Sequence, residues 1–367
     1  MGIIRLLLAL SVVISHLGAV FGVRIIPGDL AVECFFIISG FYMSLILGDK
    51  YQLNRSGILK FYLNRYLRLA PTYWVMILAC FGLAFLTGQF YLFKAEPFFN
   101  FLGQMSPLSA VFIMFANLFM FGLDILMFLT VRDKSLAWAL TYDAGPLPAQ
   151  KLLFISPAWS LSSELWFYLM APFLAKRTWK LLAAIVGLSI AIRIGLELNG
   201  LYEDPWGNRF FPSEMMYFGS GMLLYRFYRT FNEKFDFKKC QMGLGALLVL
   251  MFSYTYIPLD PEFVHYAFAA LFAIALPFIF HVTKNSKFDR HVGELSFPLY
   301  LCHIVVHQIC TTYLRVPSTY QGFVYSALSL FTAYVAYRLV DKPVDRIRQR
   351  LAAVKAPSVP GIRRRVA

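Results

Sequence analysis

Charged residues are scarce in this chain of 367 residues, and acidic residues are the scarcer kind. Only 15% of the residues are charged, against about 25% in an average soluble domain. The 20 acidic residues are outnumbered by 34 basic ones, and 59% of the chain is hydrophobic with a mean hydropathy of +0.61. This balance excludes an ordinary soluble domain and predicts an all-α, multi-pass helical bundle in a lipid bilayer.

Cysteine is also rare, and its spacing excludes two classes of site. The five cysteines form no Cys-x-x-Cys pair and four lie in apolar stretches, so buried free thiols are expected rather than disulfides. His303 and His307 have the spacing of a metal-binding pair on a helix, but no third ligand stands at a recognisable distance. We therefore predict no metal site.

The net charge of +14 comes from basic clusters in short connections between apolar stretches. This is the positive-inside pattern of a membrane protein, so no nucleic-acid partner is expected. A membrane span needs about 20 predominantly apolar residues. The candidate spans are 5–21, 28–48, 70–92, 108–131, 157–175, 179–197, 210–228, 242–258, 263–283, 293–314 and 321–340.

The basic clusters also predict the topology. If Arg68 and Lys176 are both cytoplasmic, an even number of crossings must separate them, yet three candidates lie between. The stretch 108–131 contains polar residues and a glycine, so we expect it to form a re-entrant or interfacial helix. The prediction is about ten crossings with both termini cytoplasmic. Residues 1–342 form the membrane domain, and the basic stretch 343–367 is expected to be a flexible cytoplasmic tail.

Two histidines and two carboxylates, on four different candidate spans, form a set: His16, Glu33, Glu164 and His303. Arg5 and His16 are eleven positions apart, which is about three helical turns and roughly 16 Å on one face. His16 and His303 would lie near the membrane midplane, and Glu33 and Glu164 in the outer half. An ionised group facing lipid costs about 2.5–3.5 kcal/mol, so we expect the four to share one wet cavity. The alternatives are structural ion pairs, an anchoring Arg5 and a packing His16.

Arg65 and Arg68 are helical neighbours at the predicted cytoplasmic mouth of the third span. Arginines there suit phosphate, because a guanidinium group can form two hydrogen bonds with phosphate oxygens at once. The alternative is that the two arginines only anchor the topology. Three further histidines lie at span ends or in loops and are expected to be ordinary. They are His265, His281 and His291.

Several short motifs follow one another along the chain. They are Arg5-x10-His16, Phe35-Phe36-Ile37-Ile38-Ser39-Gly40-Phe41, Arg65-x-x-Arg68 before Pro71-x-Tyr73-Trp74, Trp159-Ser160-Leu161-x-x-Glu164-x-x-Phe167-Tyr168, Leu295-Ser296-Phe297-Pro298-Leu299-Tyr300-Leu301-x-His303 and Asp341-Lys342-Pro343. Together they resemble acyltransferase family 3, the bacterial membrane O-acyltransferases of polysaccharides. The chain departs from the family in having Glu33 where Asp is common and Asp341 where Glu is common.

The resemblance implies an enzyme that moves an acyl group, usually acetyl, from cytoplasmic acyl-CoA to a carbohydrate hydroxyl across the bacterial inner membrane. Acetyl-CoA is then the donor substrate, held through its phosphates by Arg5, Arg65 and Arg68. The acceptor would be a polysaccharide, an oligosaccharide or a glycolipid.

The same resemblance implies a catalytic set. His16 would act as general base or transient acyl carrier, and Glu164 would orient His16 or the sugar. Glu33 and His303 would complete the set, with His303 lining the same cavity. The alternative function is a proton-coupled transporter or flippase of a glycan or lipid-linked substrate, for which buried His and Glu would form a proton relay.

Overall fold

Helices account for most of the described residues in the computed structural model, which confirms the all-α prediction. The structure describes residues 1–90, 93–141, 145, 147–314 and 316–352. The helices are α1 (Gly2–Leu17), α2 (Gly28–Asp49), α3 (Arg55–Thr87), α4 (Ala95–Gln104), α5 (Pro107–Phe119), α6 (Trp159–Ala175), α7 (Trp179–Leu198), α8 (Trp206–Arg209), α9 (Phe211–Phe231), α10 (Phe237–Ser253), α11 (Pro261–Thr283), α12 (Lys287–Gly293), α13 (Ser296–Tyr313), α14 (Ser318–Ala336) and α15 (Lys342–Ala352). The five cysteines are buried free thiols, as predicted.

Two small antiparallel sheets lie in the connections after α3 and after α5. The first pairs β1 (Gln89–Phe90) with β2 (Phe93–Lys94). In the second, β3 (Leu129–Arg132) lies between β4 (Ser135–Trp138) and β5 (Leu147–Pro148). Short 3-10 turns cover Ile125–Phe128, Ala149–Leu152, Ser156–Ala158, Asn232–Lys234 and Tyr254–Tyr256, and a π-helical turn covers Tyr337–Asp341.

Side chains at the helix starts explain where several helices begin. Asn54 accepts a hydrogen bond from the Gly57 amide at 2.8 Å, Asp236 accepts one from Lys239, and Asp260 accepts one from Phe263, each at 2.9 Å. These caps satisfy backbone N–H groups that have no partner inside the helix.

Six helical stretches in the described part of the chain are long and apolar enough to cross a membrane. They are Gly28–Asp49, Arg55–Thr87, Trp179–Leu198, Pro261–Thr283, Lys287–Tyr313 and Ser318–Leu351. Large apolar side chains are exposed on their outward faces, including Phe85, Leu86 and Leu198. Such side chains suit contact with lipid tails. The count of ten crossings stays a prediction.

The stretch 108–131 is not one long helix. Its helical part, α5, has 13 residues and is therefore about 20 Å long, shorter than the roughly 30 Å hydrocarbon core. Asn117 holds its end to the connection before α6, because it donates to the Leu152 carbonyl at 3.0 Å and accepts from the Phe154 amide at 2.8 Å. Whether α5 is re-entrant or interfacial stays a prediction.

Basic connections meet at one end of the bundle, which we call the basic end and define by four residues. The amino group of Met1 lies 2.6 Å from Asp289 Oδ2, joining α1 to α12. Lys176 donates to the Leu53 carbonyl at 2.7 Å, joining α6 to the start of α3. Lys284 donates to the Tyr228 hydroxyl at 2.9 Å, joining α11 to α9. The defining residues are Met1, Lys176, Lys284 and Asp289.

The segment after α14 differs from the expected flexible tail. The π-helical turn continues into α15, so residues 343–352 are helical. Contacts with α3 account for this, because Asp341 accepts a hydrogen bond from Thr72 and Arg348 is buried against Asn64. The rest of the predicted tail, residues 353–367, lies outside the described residues.

Helices α2 and α9 cross at very short distance. A side chain on Gly40 would meet the Phe218 carbonyl oxygen at 2.0 Å, and one on Gly221 would meet the Ile37 carbonyl oxygen at 2.0 Å. The Phe218 ring beside this crossing stacks on Phe36 of α2, at 4.4 Å between centroids, and on Phe167 of α6, at 4.3 Å. The two glycines therefore allow three helices to share one aromatic core.

The substitution Gly221→Ala should destabilise the protein by about 1–3 kcal/mol, because the added methyl group must push α2 and α9 apart. Thermal unfolding of the detergent-purified protein measures this as a lower Tm. Gly243→Ala is the matched control, since nothing lies within 4 Å of a side chain at Gly243 in α10. Equal melting temperatures for the two variants would contradict the close crossing.

Candidate active site

A cavity of about 650 Å³ lies inside the bundle next to the basic end. Helices α1, α2, α3, α6, α13 and α15 all contribute to its wall, and its apolar part includes Phe35, Phe36 and Phe297. These rings offer a surface for a flexible, partly apolar ligand. Four of the site residues predicted from the sequence line this cavity: Arg5, Arg65, Arg68 and Glu164.

Positive charge dominates the cavity wall. The basic side chains are Arg5, Lys50, Arg65, Arg68, Lys284, Arg290 and Arg348, and the acidic ones are Glu164, Asp289, Glu294 and Asp345. Arg68 Nη1 lies 3.2 Å from Glu294 Oε2 and 3.9 Å from Asp345 Oδ2. Because basic groups remain in excess, the cavity has the charge expected of a site for an anionic ligand.

Glu164 faces the deep part of this cavity and does not contact His16. It accepts a hydrogen bond from Ser39 Oγ at 3.0 Å and a second one from the Tyr168 hydroxyl. These partners do not include His16, and the expectation that Glu164 orients His16 or the sugar stays a prediction. The residue lies one helical turn beyond Ser160 on α6, on the face that points toward α2.

The connection after α5 holds the first turns of α6. Ser162 Oγ donates to Asp124 Oδ1 at 2.6 Å and accepts from the Gly122 amide at 2.9 Å. Burial raises the pKa of the Asp124 carboxyl, and hydrogen bonds from Ser162 and Trp166 offset part of that rise. This network fixes the part of α6 that carries Ser160 and Glu164.

Tyr300 and Ser160 close the inner end of the cavity. The Tyr300 hydroxyl lies 2.7 Å from Ser160 Oγ and 2.8 Å from the Pro157 carbonyl oxygen. Both side chains are buried, and both line the cavity. We call this contact the Tyr300–Ser160 layer.

His16 and His303 lie beyond this layer and face each other. Their ring centroids are 5.2 Å apart, and His303 follows Tyr300 by one turn of α13. His303 is fully buried, and its Nδ1 lies 2.8 Å from the Tyr300 carbonyl oxygen. A carbonyl only accepts, so Nδ1 carries the proton and Nε2 is an acceptor with no hydrogen-bond partner among the described residues. The His16 side chain is exposed.

Glu33 lies in a different cluster, so the expected single cavity for all four residues is wrong. Its carboxylate is 2.6 Å from His265 Nε2 and 3.7 Å from Arg193 Nη2, and Arg193 also lies 2.6 Å from Glu214 Oε1. The physical reason is the face of α2 on which it stands. Glu33 and Ile37 share the face that packs on α9, while the cavity is lined by the neighbouring face.

Comparison with known proteins identifies the family of this chain. The family model described as "Acyltransferase domain", that of acyltransferase family 3, matches residues 1–338. The chain belongs to this family. It is also similar to "O-acetyltransferase OatA" of Staphylococcus aureus (strains NCTC 8325 / PS 47 and COL), at 24% identity over 94% of this chain and 56% of the relative.

A second kind of relative of this acyltransferase-family chain is an uncharacterized protein of Aquifex aeolicus, 22% identical over 54% of this chain and 90% of its own length. The match with the Staphylococcus relatives, in contrast, spans little more than half of their length. No solved structure matches the chain.

Glu33, Arg193, Glu214 and His265 form one charge cluster, and the sequence analysis missed the last three of these residues. His265 was expected to be ordinary because it lies at a span end, yet it contacts Glu33. Arg193 and Glu214 were not singled out, although both are buried charges inside candidate spans. A charged residue in an apolar span is itself a signal of a buried partner or a function, and it would have pointed to both.

The substitution Arg193→Met should destabilise the protein strongly, by roughly 3–5 kcal/mol, because it removes the cation beside the buried Glu214 and leaves the buried Glu33 with His265 alone. Thermal unfolding of the purified protein measures this loss. Arg177→Met, at an exposed position just before the same helix, is the control.

Adding Glu33→Gln to Arg193→Met should restore part of the lost stability, since one uncompensated charge is removed. If the double variant is less stable than Arg193→Met alone, the three side chains do not form one charge cluster.

Proposed function

We propose that this protein is a membrane O-acyltransferase that moves an acyl group, most simply acetyl, from acyl-CoA to a hydroxyl of a cell-envelope or exported carbohydrate. One observation carries the proposal. A cavity rich in basic side chains ends at the Tyr300–Ser160 layer, one helical turn from a pair of facing histidines. Membership of the acyltransferase family, and similarity to relatives named O-acetyltransferase, support the same reaction class.

Acyl-CoA fits the chemistry of the cavity. Its phosphates would bind Arg5, Arg65 and Arg68, since guanidinium groups form paired, charge-assisted hydrogen bonds with phosphate oxygens. The pantetheine arm would lie along Phe35 and Phe36 with its thioester toward the Tyr300–Ser160 layer. By the positive-inside rule, the basic end and both termini would lie on the cytoplasmic side of a bacterial inner membrane.

Glu164 then belongs with the donor rather than with His16. Its carboxylate faces the cavity and can accept hydrogen bonds from the amide N–H groups of the pantetheine arm. Ser39 and Tyr168 hold its side chain in place for that role. Glu33 would act at a distance, by holding α2 against α7, α9 and α11 through its ion pairs.

His16 would be the residue that acts directly on the reacting groups. As general base it would take the proton of the acceptor hydroxyl while the hydroxyl oxygen attacks the thioester carbonyl. The carbon–sulfur bond then breaks, and His16 returns the proton to the CoA thiolate. In the carrier version, the acyl group passes first to His16 and then to the sugar, with the same overall balance.

His303 would orient His16 in either version. With its own proton donated to the Tyr300 carbonyl, His303 offers Nε2 to an N–H of His16. A partner that accepts from one nitrogen of an imidazole fixes its tautomer and leaves the other nitrogen free to act. The exposed His16 side chain is open to an acceptor from the side opposite the basic end.

The substitution His16→Ala should reduce acyl transfer by roughly 100-fold or more, because general base catalysis contributes that much. Acetyl-CoA affinity should stay nearly unchanged, since His16 does not line the cavity. Mass spectrometry of O-acetyl groups on envelope glycans, in a deletion strain carrying each variant, measures the transfer.

His291→Ala is the matched control, because His291 is exposed on α12 and has no place in the proposed chemistry. If the His16→Ala strain has as much glycan O-acetylation as the His291→Ala strain, the assignment of His16 as base or carrier is contradicted.

A further inference from the structure

Helix α15 follows the family domain yet forms part of the cavity wall. The family match ends at residue 338, and α15 begins at Lys342. Arg348 and Gln349 of α15 line the cavity, as does Asp345. The donor site proposed above is therefore bordered by residues that lie beyond the end of the family match.

Arg348 is buried at the centre of this border. Its Nε lies 3.2 Å from the Asn64 carbonyl oxygen and its Nη2 lies 3.2 Å from Asn64 Oδ1. Asn64 returns a hydrogen bond from Nδ2 to the Arg348 carbonyl at 3.0 Å. The side chain is thus fixed on α3 and has little freedom left to lose when it binds a ligand.

Two shared acceptors bring three guanidinium groups together. Asn64 Oδ1 accepts from Arg348 and also from Arg65 Nη2, at 3.0 Å. One carboxylate oxygen of Asp345 pairs with Arg348, and the other lies 3.9 Å from Arg68. Arg348 therefore links Arg65 and Arg68, two of the three arginines that the sequence had marked for phosphate.

The hydrogen-bonding capacity of this cluster is not used up. Arg65 Nε is buried and has no hydrogen-bond partner within the described ranges, which span 1–352 with short gaps. Arg68 and Arg348 share the two carboxylates of Asp345 and Glu294, and Arg65 adds a third positive charge to the cavity wall. A buried donor without a partner is costly, and a phosphate oxygen would satisfy it.

We propose that Arg348 of α15 is a fourth phosphate-binding arginine of the donor site, beside Arg5, Arg65 and Arg68, with Asp345 as an internal counter-ion that a donor phosphate replaces. The inference rests on the proposed function, because it assumes an acyl-CoA donor in this cavity. It extends the site beyond residue 338 and assigns the contact to a phosphate group of CoA.

Calorimetric titration of acetyl-CoA into the purified full chain tests this assignment. Arg348→Ala should weaken binding by roughly tenfold or more, the size expected when a hydrogen-bonded charge pair is lost. Arg346→Ala is the matched control, since Arg346 is exposed on the same helix and does not line the cavity. Its affinity should equal that of the wild type.

A phosphate-free donor separates ligand binding from structural support. S-acetylpantetheine should bind Arg348→Ala and the wild type with nearly equal affinity, because it offers no phosphate to Arg348. Equal losses for both donors would show that Arg348 only supports the fold and would overturn the proposal.

The substitution Asp345→Asn should change acetyl-CoA affinity in the opposite direction to Arg348→Ala. Removing the internal anion should tighten acetyl-CoA binding several-fold, since the phosphate no longer competes with a carboxylate. Weaker binding in this variant would contradict the counter-ion role. Should Arg348→Ala fail to fold, Arg348→Lys keeps the charge and should show a smaller, phosphate-dependent loss.

The two proposals fail differently. If the wild type does not bind acetyl-CoA, the proposed function itself fails. If the wild type binds and the Arg65→Ala, Arg68→Ala double variant binds weakly, while Arg348→Ala matches the Arg346→Ala control, only the assignment of α15 fails.

Discussion

The crossing of α2 and α9 positions both faces of helix α2, and the rest of the site depends on it. Gly40 and Gly221 let the two backbones meet, so Glu33 on one face reaches Arg193, Glu214 and His265. The neighbouring face then carries Ser39 to Glu164 and the phenylalanine rings to the cavity. A bulkier residue at the crossing would disturb the ion pairs and the cavity together.

A consequence of this arrangement is a division of the interior into two parts. On one side of the Tyr300–Ser160 layer lies the cavity rich in basic groups, and on the other lie His16 and His303. In the proposed reaction, the thioester must pass this layer or react across it. Two buried hydroxyl groups can exchange hydrogen-bond partners at little cost, which suits a contact that opens during each turnover.

The sequence predicted much of this, because hydropathy and charge clusters report directly on helices and on the basic end. Four of the residues that it singled out, Arg5, Arg65, Arg68 and Glu164, line one cavity. It did not predict the partner of Glu33, because α2 is apolar on all sides and its hydropathy does not show which face meets which neighbour. Likewise, the polar composition after residue 343 suggested a tail, whereas contacts of Arg348 with α3 stabilise a helix there.

The central claim is that an acyl group passes from CoA at the basic end to a hydroxyl beyond the histidine pair. Proteoliposomes of uniform orientation, with labelled acetyl-CoA at the basic end and cell-envelope glycans on the other side, test it directly. The account predicts CoA release on the donor side together with labelled O-acetyl esters on the glycans. Proton-coupled flux of glycan without CoA release or ester formation would contradict the account and identify a transporter instead.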